Sequence, residues 1–512
     1  MEESEEAENI SQAIGTVEIQ GFDYSEVLPR CVVHAITRYL NFRDIAHMAV
    51  ASPFRWSGVA GSKKIAHLHI SNSSSSALIN VDDVGTGKKR TDSSEIFYYC
   101  ETKRLKLMDF ADNSLRRRKG LGIQRMNITS GVDNCTFKRF VERWIHTGAV
   151  CYVKNLEICI HPHRNEPLNI YESVFSNTSL RVLRIVMITP GDISFGNLPF
   201  VSHLHELYLE YIGMLGDFLP QIAKSCTNLQ IINFVECYGV RNLIFESDSI
   251  VDFKFVASRK GDLHNLKISG LNLRTVAITW ISDYLSETCF TLLAPDLRSL
   301  TWVGYVDKYS AIAMENLSCA TIKVLYSIPR DWFNVNRTLS ELYQGVEVAA
   351  ASILQSAASA EKLQIGNYTT LIIAVKLEYN FLSRELTVPV SFSDYELKLL
   401  ADLLWKTPWL MILSVKQSSE EITCSTSNHD SELWDAQDPA FLHTIRKIEI
   451  TASERGLKCV LKFIKKVVEN AKSLEHLTIW CSLPSLHSQL STAVSQYTWA
   501  FRKLLVDIMV CN

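Results

Sequence analysis

Apolar residues recur along this chain in one short pattern: an apolar residue, two variable residues, an apolar residue, one variable residue and an apolar residue. The middle apolar positions of successive copies are separated by 21 to 27 residues. Alternate side chains of an extended segment point to opposite faces, so Leu207 and Leu209 are expected inside and Tyr208 outside. The pattern therefore predicts one short strand per copy. The copies span residues 153–158, 180–185, 204–209, 229–234, 250–255, 273–278 and 297–302.

A strand with one apolar face cannot bury that face alone, but stacked parallel copies form a continuous core between neighbours. A repeat of about 24 residues with this pattern is typical of leucine-rich repeats. The sequence thus predicts an α/β repeat solenoid with parallel strands on its concave face. The outward positions are expected to form one file, in which Tyr208 is the best single anchor because aromatic residues dominate interface energies. We interpret this file as the candidate substrate-binding surface: Glu157, Arg184, Tyr208, Asn233, Lys254, Ala277 and Thr301.

Outside these copies the periodicity is less regular. Residues 305–360 interrupt the repeat, and a helix is predicted near residues 339–356. A strand resumes at 363–365, and residues 397–404 are predicted to form a helix that stops before Pro408. The copy at residues 263–268 lies too close to its neighbours to start a further repeat, so we interpret it as a return strand.

The first 60 residues follow a different pattern. Residues 1–21 are polar and acidic without periodicity, and we expect a disordered tail. Leu28-Pro29 opens a helical pattern whose apolar face includes Ile36 and Leu40, and proline suits the first turn of a helix. A second helix is predicted from Asp44, which favours a helix N-terminus, to the stop at Ser52-Pro53.

Residues 28–56 resemble an F-box, through the Leu-Pro start, the apolar face and the Arg55-Trp56 pair. They depart from the common plant form at Cys31, Asn41 and Pro53, none of which lies on that face. Residues 143–145 and 294–302 are similar to recurrent phrases of plant F-box/leucine-rich-repeat proteins, and residues 445–479 resemble the FBD module of that family. The chain is accordingly divided into a tail (1–21), an F-box (22–62), a connecting segment (63–150), a repeat solenoid (151–440) and FBD-like repeats (441–512).

This resemblance implies a non-catalytic function, that of the substrate-recognition subunit of an SCF-type E3 ubiquitin ligase. The F-box would dock on a Skp-type adaptor, and through it on cullin and RING subunits, while the repeats bind a protein substrate. An alternative is a leucine-rich-repeat interaction scaffold whose F-box is non-functional, as the three departures would allow. The adaptor-binding residues implied by the resemblance are Leu28, Pro29, Val32, Ile36, Leu40 and Val50.

The composition gives no indication of a nucleic-acid or membrane partner. The formal net charge is −3, with 47% hydrophobic and 21% charged residues, so no general attraction to polyanions is expected. Residues 1–8 are acidic, unlike a secretory signal peptide, and no apolar run has membrane-spanning length. The 13 cysteines include no C-x-x-C pair, which favours reduced thiols in an intracellular protein, cytoplasmic or nuclear.

Candidate catalytic and metal motifs are weak. Cys159, His161 and His163 alternate as three ligands on a strand would, but Pro162 favours a loop. Residues 85–89 resemble the end of a phosphate-binding loop, but Asp82 and Lys89 replace the glycine and the hydroxyl residue that such a loop requires. We therefore predict no catalytic residue, metal or cofactor. Two basic runs, 88–90 and 116–119, fit a nuclear-import signal, a phosphate-facing patch or a solvated loop.

Overall fold

The computed structural model describes residues 67–72, 123–130, 135–150, 152–160, 167–170, 172–195, 203–214, 218–258, 263–281, 288–304, 308–311, 314, 316–325, 339–417, 440–453, 457–498 and 504–510. The chain divides into two compact units, Met1–Ile160 and His161–Asn512. The predicted tail, the F-box with all six adaptor-binding candidates, both basic runs, residues 85–89 and the two candidate zinc ligands His161 and His163 lie outside the described residues, and the predicted domain boundaries stay predictions.

Among its described residues the first unit contains three parallel strands and one helix. Strands β1 (His67–Asn72), β2 (Arg125–Ser130) and β3 (Asn155–Ile160) pair side by side in register, with helix α1 (Cys135–Val150) between β2 and β3 in sequence. The helix buries Val141, Trp144 and Ile145. The sequence pattern placed the first strand at residue 153, so β1 and β2 are additional strands of the same parallel kind.

The second unit contains the remaining elements of the described residues. Its strands are β4 (Leu168–Ile170), β5 (Val182–Phe195), β6 (Glu206–Met214), β7 (Ile231–Cys237), β8 (Asn242–Glu246), β9 (Asp252–Ala257), β10 (Asn265–Ser269), β11 (Thr275–Trp280), β12 (Cys289–Leu293), β13 (Ser299–Gly304), β14 (Lys308–Ala311), β15 (Cys319–Val324), β16 (Lys362–Ile365), β17 (Glu385–Val390), β18 (Ile412–Gln417), β19 (Lys447–Ala452), β20 (His476–Cys481) and β21 (Leu505–Val510). Its helices are α2 (Glu172–Phe175), α3 (Phe218–Ser225), α4 (Leu339–Ser356), α5 (Tyr368–Lys376), α6 (Asp394–Trp405), α7 (Phe441–Thr444), α8 (Leu457–Asn470) and α9 (Pro484–Thr498).

These strands form two parallel sheets. In the main sheet the order is β4, β5, β6, β7, β9, β11, β13, β15 and then β16 to β21 in sequence. The second sheet has the order β8, β10, β12, β14. Strand β10 contains most of the predicted return strand at 263–268 and lies in this second sheet, so that prediction is confirmed.

An aromatic core fills the space between the two sheets. Phe245 of β8 lies with its ring centroid 6.0 Å from that of Phe253 of β9. Phe290 of β12 stacks on Trp302 of β13 at 4.9 Å, and Trp280 meets Trp302 edge-on at 6.5 Å. All five rings are almost fully buried. Each ring removes a large apolar area from water, so this cluster is a major stabilising contact of the strand-backed repeats.

From β15 onward helices replace the second sheet as the layer behind the main sheet. Helix α4 packs on β14 and β15, and its bounds coincide with the predicted helix at 339–356. Helix α6 begins at Asp394, before the predicted start at 397, because Ser393 caps it by accepting a hydrogen bond from the Glu396 N–H. Helix α8 presents one apolar face to the core, including Phe463 and Val467.

The repeat does not stop at residue 302. Strand β15 lies inside the stretch 305–360, where the sequence indicated an interruption, and it pairs with both β13 and β16. Its pattern positions Leu317, Ala320 and Ile322 are buried. The prediction that 305–360 interrupts the repeat was wrong for Cys319–Val324, because Ala320 is a weak hydrophobic signal in sequence although the residue is fully buried in the fold.

A repeated backbone contact explains why the ladder stays regular to β21. In most repeats of the main sheet the carbonyl oxygen of the residue just before a strand accepts two N–H groups from the start of the next strand, while Ser318 and Glu475 each accept one. The Arg181 carbonyl accepts from His205 and Glu206 at 2.8 and 3.0 Å, and the Arg446 carbonyl accepts from Glu475 and His476 at the same two distances. The turns are therefore tied together even where the side-chain pattern weakens.

Candidate protein-binding face

The predicted outward residues of the second unit lie in one straight file on the main sheet. Arg184 is in register with Tyr208, Tyr208 with Asn233, and Asn233 with Lys254. Ala277 and Thr301 continue the file on β11 and β13. Neighbouring strands lie about 4.8 Å apart, so these side chains form a continuous surface. We call this surface the central file.

The central file continues well beyond the predicted residues. Seven further positions follow Thr301 in register, one on each strand from β15 to β21. The regular pattern ends at residue 302 and these positions were not predicted as part of the file, although a strand was predicted at 363–365 and the same spacing is visible around Leu413, Ile448 and Leu477. The added residues are Thr321, Gln364, Thr387, Ser414, Glu449, Thr478 and Asp507.

Glu157, the remaining predicted residue, belongs to the first unit. There it is in register with Asn127 on β2, which is in register with His69 on β1. Arg125 Nη2 lies 3.0 Å from Glu157 Oε2, and both side chains are partly exposed. A partly exposed ion pair of this kind adds little stability, so Glu157 stays accessible to a polar partner.

The charged part of the central file spans β5 to β9. Arg184 and Lys254 are exposed at its two ends. Between them the Tyr208 hydroxyl donates a hydrogen bond to Glu206 Oε2 at 3.0 Å. Burial, together with this bond, raises the pKa of Tyr208 above its ordinary value, so the phenol is neutral at physiological pH. This segment therefore offers two cations, a fixed phenol and a carboxylate.

Asn233 carries an unused hydrogen-bonding group within the same segment. Its Oδ1 atom is buried and accepts no hydrogen bond from any described residue. An unsatisfied buried acceptor costs about 1–3 kcal/mol. Because Oδ1 itself is closed to a partner, Asn233 contributes to this face only as a half-buried polar residue between Tyr208 and Lys254.

The middle of the central file has a different character. From β11 to β18 its residues are small or uncharged: Ala277, Thr301, Thr321, Gln364, Thr387 and Ser414. Charge returns on β19, where Glu449 pairs with Lys447 at 2.6 Å. The file therefore has a charged segment, a neutral segment and an acidic end, which together form an extended surface suited to a polar macromolecule.

Two buried cysteines, Cys226 and Cys237, lack the features of reactive thiols. Burial raises the pKa of both Cys226 and Cys237 to about 12, so neither is a thiolate at physiological pH. Among the described residues no group of three or more His, Cys, Asp or Glu side chains could hold a metal ion. The described helices include none long and apolar enough to cross a membrane.

Parallel strands that repeat an apolar pattern every 20-odd residues, backed first by strands and then by helices, define a leucine-rich-repeat protein of the α/β class. Residues 141–308 match the family model described as "FBD-associated F-box protein At5g56370, LRR repeats". The matched region contains the charged segment of the central file and supports an F-box/leucine-rich-repeat protein. A search of curated proteins finds no match.

Proposed function

We propose that this chain is the substrate-recognition subunit of an SCF-type E3 ubiquitin ligase. The observation that carries the proposal is the similarity of residues 141–308 to the repeats of an FBD-associated F-box protein, downstream of the F-box-like residues 28–56. In this function the F-box docks on a Skp-type adaptor, which connects the chain to the cullin and RING subunits. The repeats hold the substrate.

The chain contributes proximity and no chemistry. A bound substrate is held near the ubiquitin carried by a recruited conjugating enzyme, so an encounter in solution becomes an intramolecular one. This requires a surface that binds a protein specifically and needs no catalytic residue. The central file fits this requirement because its side chains vary while the buried residues beneath them keep one spacing.

The charged segment of the central file is the best candidate for substrate contact. Arg184, Tyr208, Asn233 and Lys254 lie on four adjacent strands, so one partner segment of ordinary length reaches all of them. Tyr208 supplies a large, partly apolar side chain held by Glu206, which limits the entropy lost on binding. Asn233 adds a half-buried polar residue between Tyr208 and Lys254.

The second candidate is an interaction scaffold without ligase function. The departures at Cys31, Asn41 and Pro53 favour it, because they lie in the segment that would dock on the adaptor. Such a scaffold binds the same partners through the central file but fails to bind the adaptor.

Adaptor binding separates the two candidates. The full chain, its Leu28→Ala and Leu40→Ala variants and a Leu271→Ala control are each tested for co-precipitation of purified Skp-type adaptor. Leu271 is an exposed leucine on the repeats, so its removal leaves adaptor binding unchanged. Loss of a leucine from a packed interface costs about 2–5 kcal/mol, so both F-box variants bind visibly less adaptor. A wild-type chain that captures none excludes the ligase function.

A further inference from the structure

A surface cleft of about 530 Å³ lies at the amino-terminal ends of four consecutive strands, β17 to β20. It is separate from the central file and contains none of the residues assigned above. Its volume is within the range of ordinary ligand-binding clefts. The residues that line it are Leu382, Arg384, Trp409, Met411, His443, Thr444, Arg446 and Ser473. We call it the Trp409 cleft.

The cleft is built from two columns of equivalent turn positions. Leu382, Trp409, Thr444 and Ser473 occupy one turn position in four successive repeats, and Arg384, Met411 and Arg446 lie two residues further along. The backbone of these turns is fixed by hydrogen bonds from Met411 and Ile412 to the Arg384 carbonyl and from Glu475 and His476 to the Arg446 carbonyl. The lining side chains are therefore carried on a rigid frame.

Trp409 is an unusual residue for its position. In earlier repeats the same turn position is polar, occupied by Ser179, Asn228, Ser249, Asn272 and Asp296. Trp409 is 61% exposed and Leu382, the equivalent residue of the preceding repeat, is 56% exposed. Two large apolar side chains thus replace polar ones at neighbouring exposed turns. Exposed aromatic residues beside a cleft favour a binding surface over a purely structural turn.

The charge of the cleft is positive. Arg384 and Arg446 are exposed, and neither forms a salt bridge with a described residue. Glu361 and Glu475 occupy the equivalent turn positions on the two outer sides, but they do not line the cleft and pair with neither arginine. His443 also lines the wall. Two unpaired guanidinium groups therefore face the same opening.

We propose that the Trp409 cleft binds an acidic segment of a partner protein. An apolar side chain of that segment packs on Trp409 and Leu382, while carboxylates on either side of it bind Arg384 and Arg446. The two arginines lie on turns two strands apart, about 10 Å, which equals roughly three residues of an extended peptide. Guanidinium groups bind carboxylates with two parallel hydrogen bonds, so this spacing selects the position of the acidic residues. The inference does not depend on adaptor binding.

The test measures fluorescence anisotropy of a labelled octapeptide with one leucine between aspartate and glutamate residues, titrated with the full chain. A matched peptide carries asparagine and glutamine instead. The acidic peptide binds, and its affinity falls as salt is added. Arg384→Gln, Arg446→Gln and Trp409→Ser each lower the affinity about three- to tenfold. Serine is chosen because it occupies this turn position in other repeats, so the fold is preserved.

Two arginines outside the cleft are the matched controls. Arg274 and Arg298 are exposed at the turn position equivalent to Arg384, just before β11 and β13, and Arg274→Gln and Arg298→Gln leave the affinity unchanged. Equal affinity for the acidic and amide peptides overturns the proposal, as does a double Arg384→Gln/Arg446→Gln variant that binds normally. A third outcome also overturns the proposal: the peptide does not bind, the chain self-associates, and Trp409→Ser abolishes that self-association. The occupant of the cleft is then a second copy of the chain.

Discussion

The Tyr238 hydroxyl donates a hydrogen bond to Asp192 Oδ1 at 3.0 Å, across the strand that lies between them. Asp192 is on β5 and is in register with Gly213 on β6, which in turn forms a bridge to Tyr238 just after β7. A Cβ atom at Gly213 would lie 2.0 Å from Asp192 Oδ1 and 2.9 Å from the Tyr238 ring. Glycine is therefore required at position 213 for the bond to form.

Breaking this bond is expected to destabilise the second unit slightly. Tyr238→Phe removes a single, partly exposed hydrogen bond and should cost about 0.5–1.5 kcal/mol in the free energy of unfolding. Gly213→Ala should cost at least as much, because the added methyl displaces Asp192. Urea unfolding of the two single variants and the double variant checks this. If both substitutions act through the Tyr238–Asp192 bond, the double variant loses less unfolding free energy than the two single variants together. Fully additive losses would contradict the role given to Gly213.

The Tyr238–Asp192 hydrogen bond also predicts that the stability of the folded chain depends on pH. Burial, with smaller contributions from the bond to Asp192 and its charge, raises the pKa of Tyr238 above its ordinary value of 10.0. The folded chain thus holds the phenol proton more tightly than the unfolded chain. This contribution to stability is complete below pH 10 and is lost as the pH rises toward the folded-state pKa. The difference in unfolding free energy between wild type and Tyr238→Phe, measured below and above pH 10, should shrink above pH 10. A difference that stays constant would disprove this pH dependence.

Asn367 is expected to be a critical residue for the helix-backed repeats. Its Oδ1 accepts from the Thr370 N–H at the start of α5, and its Nδ2 donates to the Val324 carbonyl at 2.6 Å. Thr370 Oγ1 in turn accepts from the Val324 N–H at 2.8 Å. Asn367→Ala removes a helix cap and leaves a buried carbonyl unpaired, so it should cost about 2–3 kcal/mol. Thermal unfolding checks this, with Asn272→Ala at an exposed turn as the control.

The charged segment of the central file predicts which substitutions weaken substrate capture. Arg184→Ala, Tyr208→Ala and Lys254→Ala should each weaken substrate binding by about 1–2 kcal/mol. The full chain carrying any one of them should therefore capture less protein from cells with a blocked proteasome. Ser414→Ala and Thr387→Ala are the controls in the neutral segment. Quantitative mass spectrometry of the captured proteins is the measurement. Equal losses from both segments would place the contact elsewhere on the file.

The strand-by-strand alternation was predictable because it follows directly from chain geometry. Leu207 and Leu209 are buried and Tyr208 faces outward, since an extended segment allows no other arrangement once its leucines are in the core. The register of the central file followed as well, because every copy of the pattern places its outward residue at the same point.

Other features depend on contacts that a periodic pattern does not contain. Ser383 fills an apolar pattern position before β17, yet it is fully buried because its hydroxyl donates to the Ala360 carbonyl at 2.7 Å. The change from a second sheet to helices behind the main sheet is set by packing between repeats. The Trp409 cleft likewise combines residues from separate repeats, so its only sequence signal is a tryptophan at a turn where polar residues are usual.

The alternation along each strand also determines how binding specificity can change. Apart from Thr478, which is itself buried, and Asp507, whose neighbours are only half-buried, each residue of the central file projects from a position whose two neighbours in sequence are buried, so replacing it leaves the core packing unaltered. Residues on strands two or more apart are separated by about 10 Å, a distance at which the effects of substitutions usually add. The partner preference of this surface can therefore be altered one residue at a time, and the contribution of each residue can be measured independently of the others.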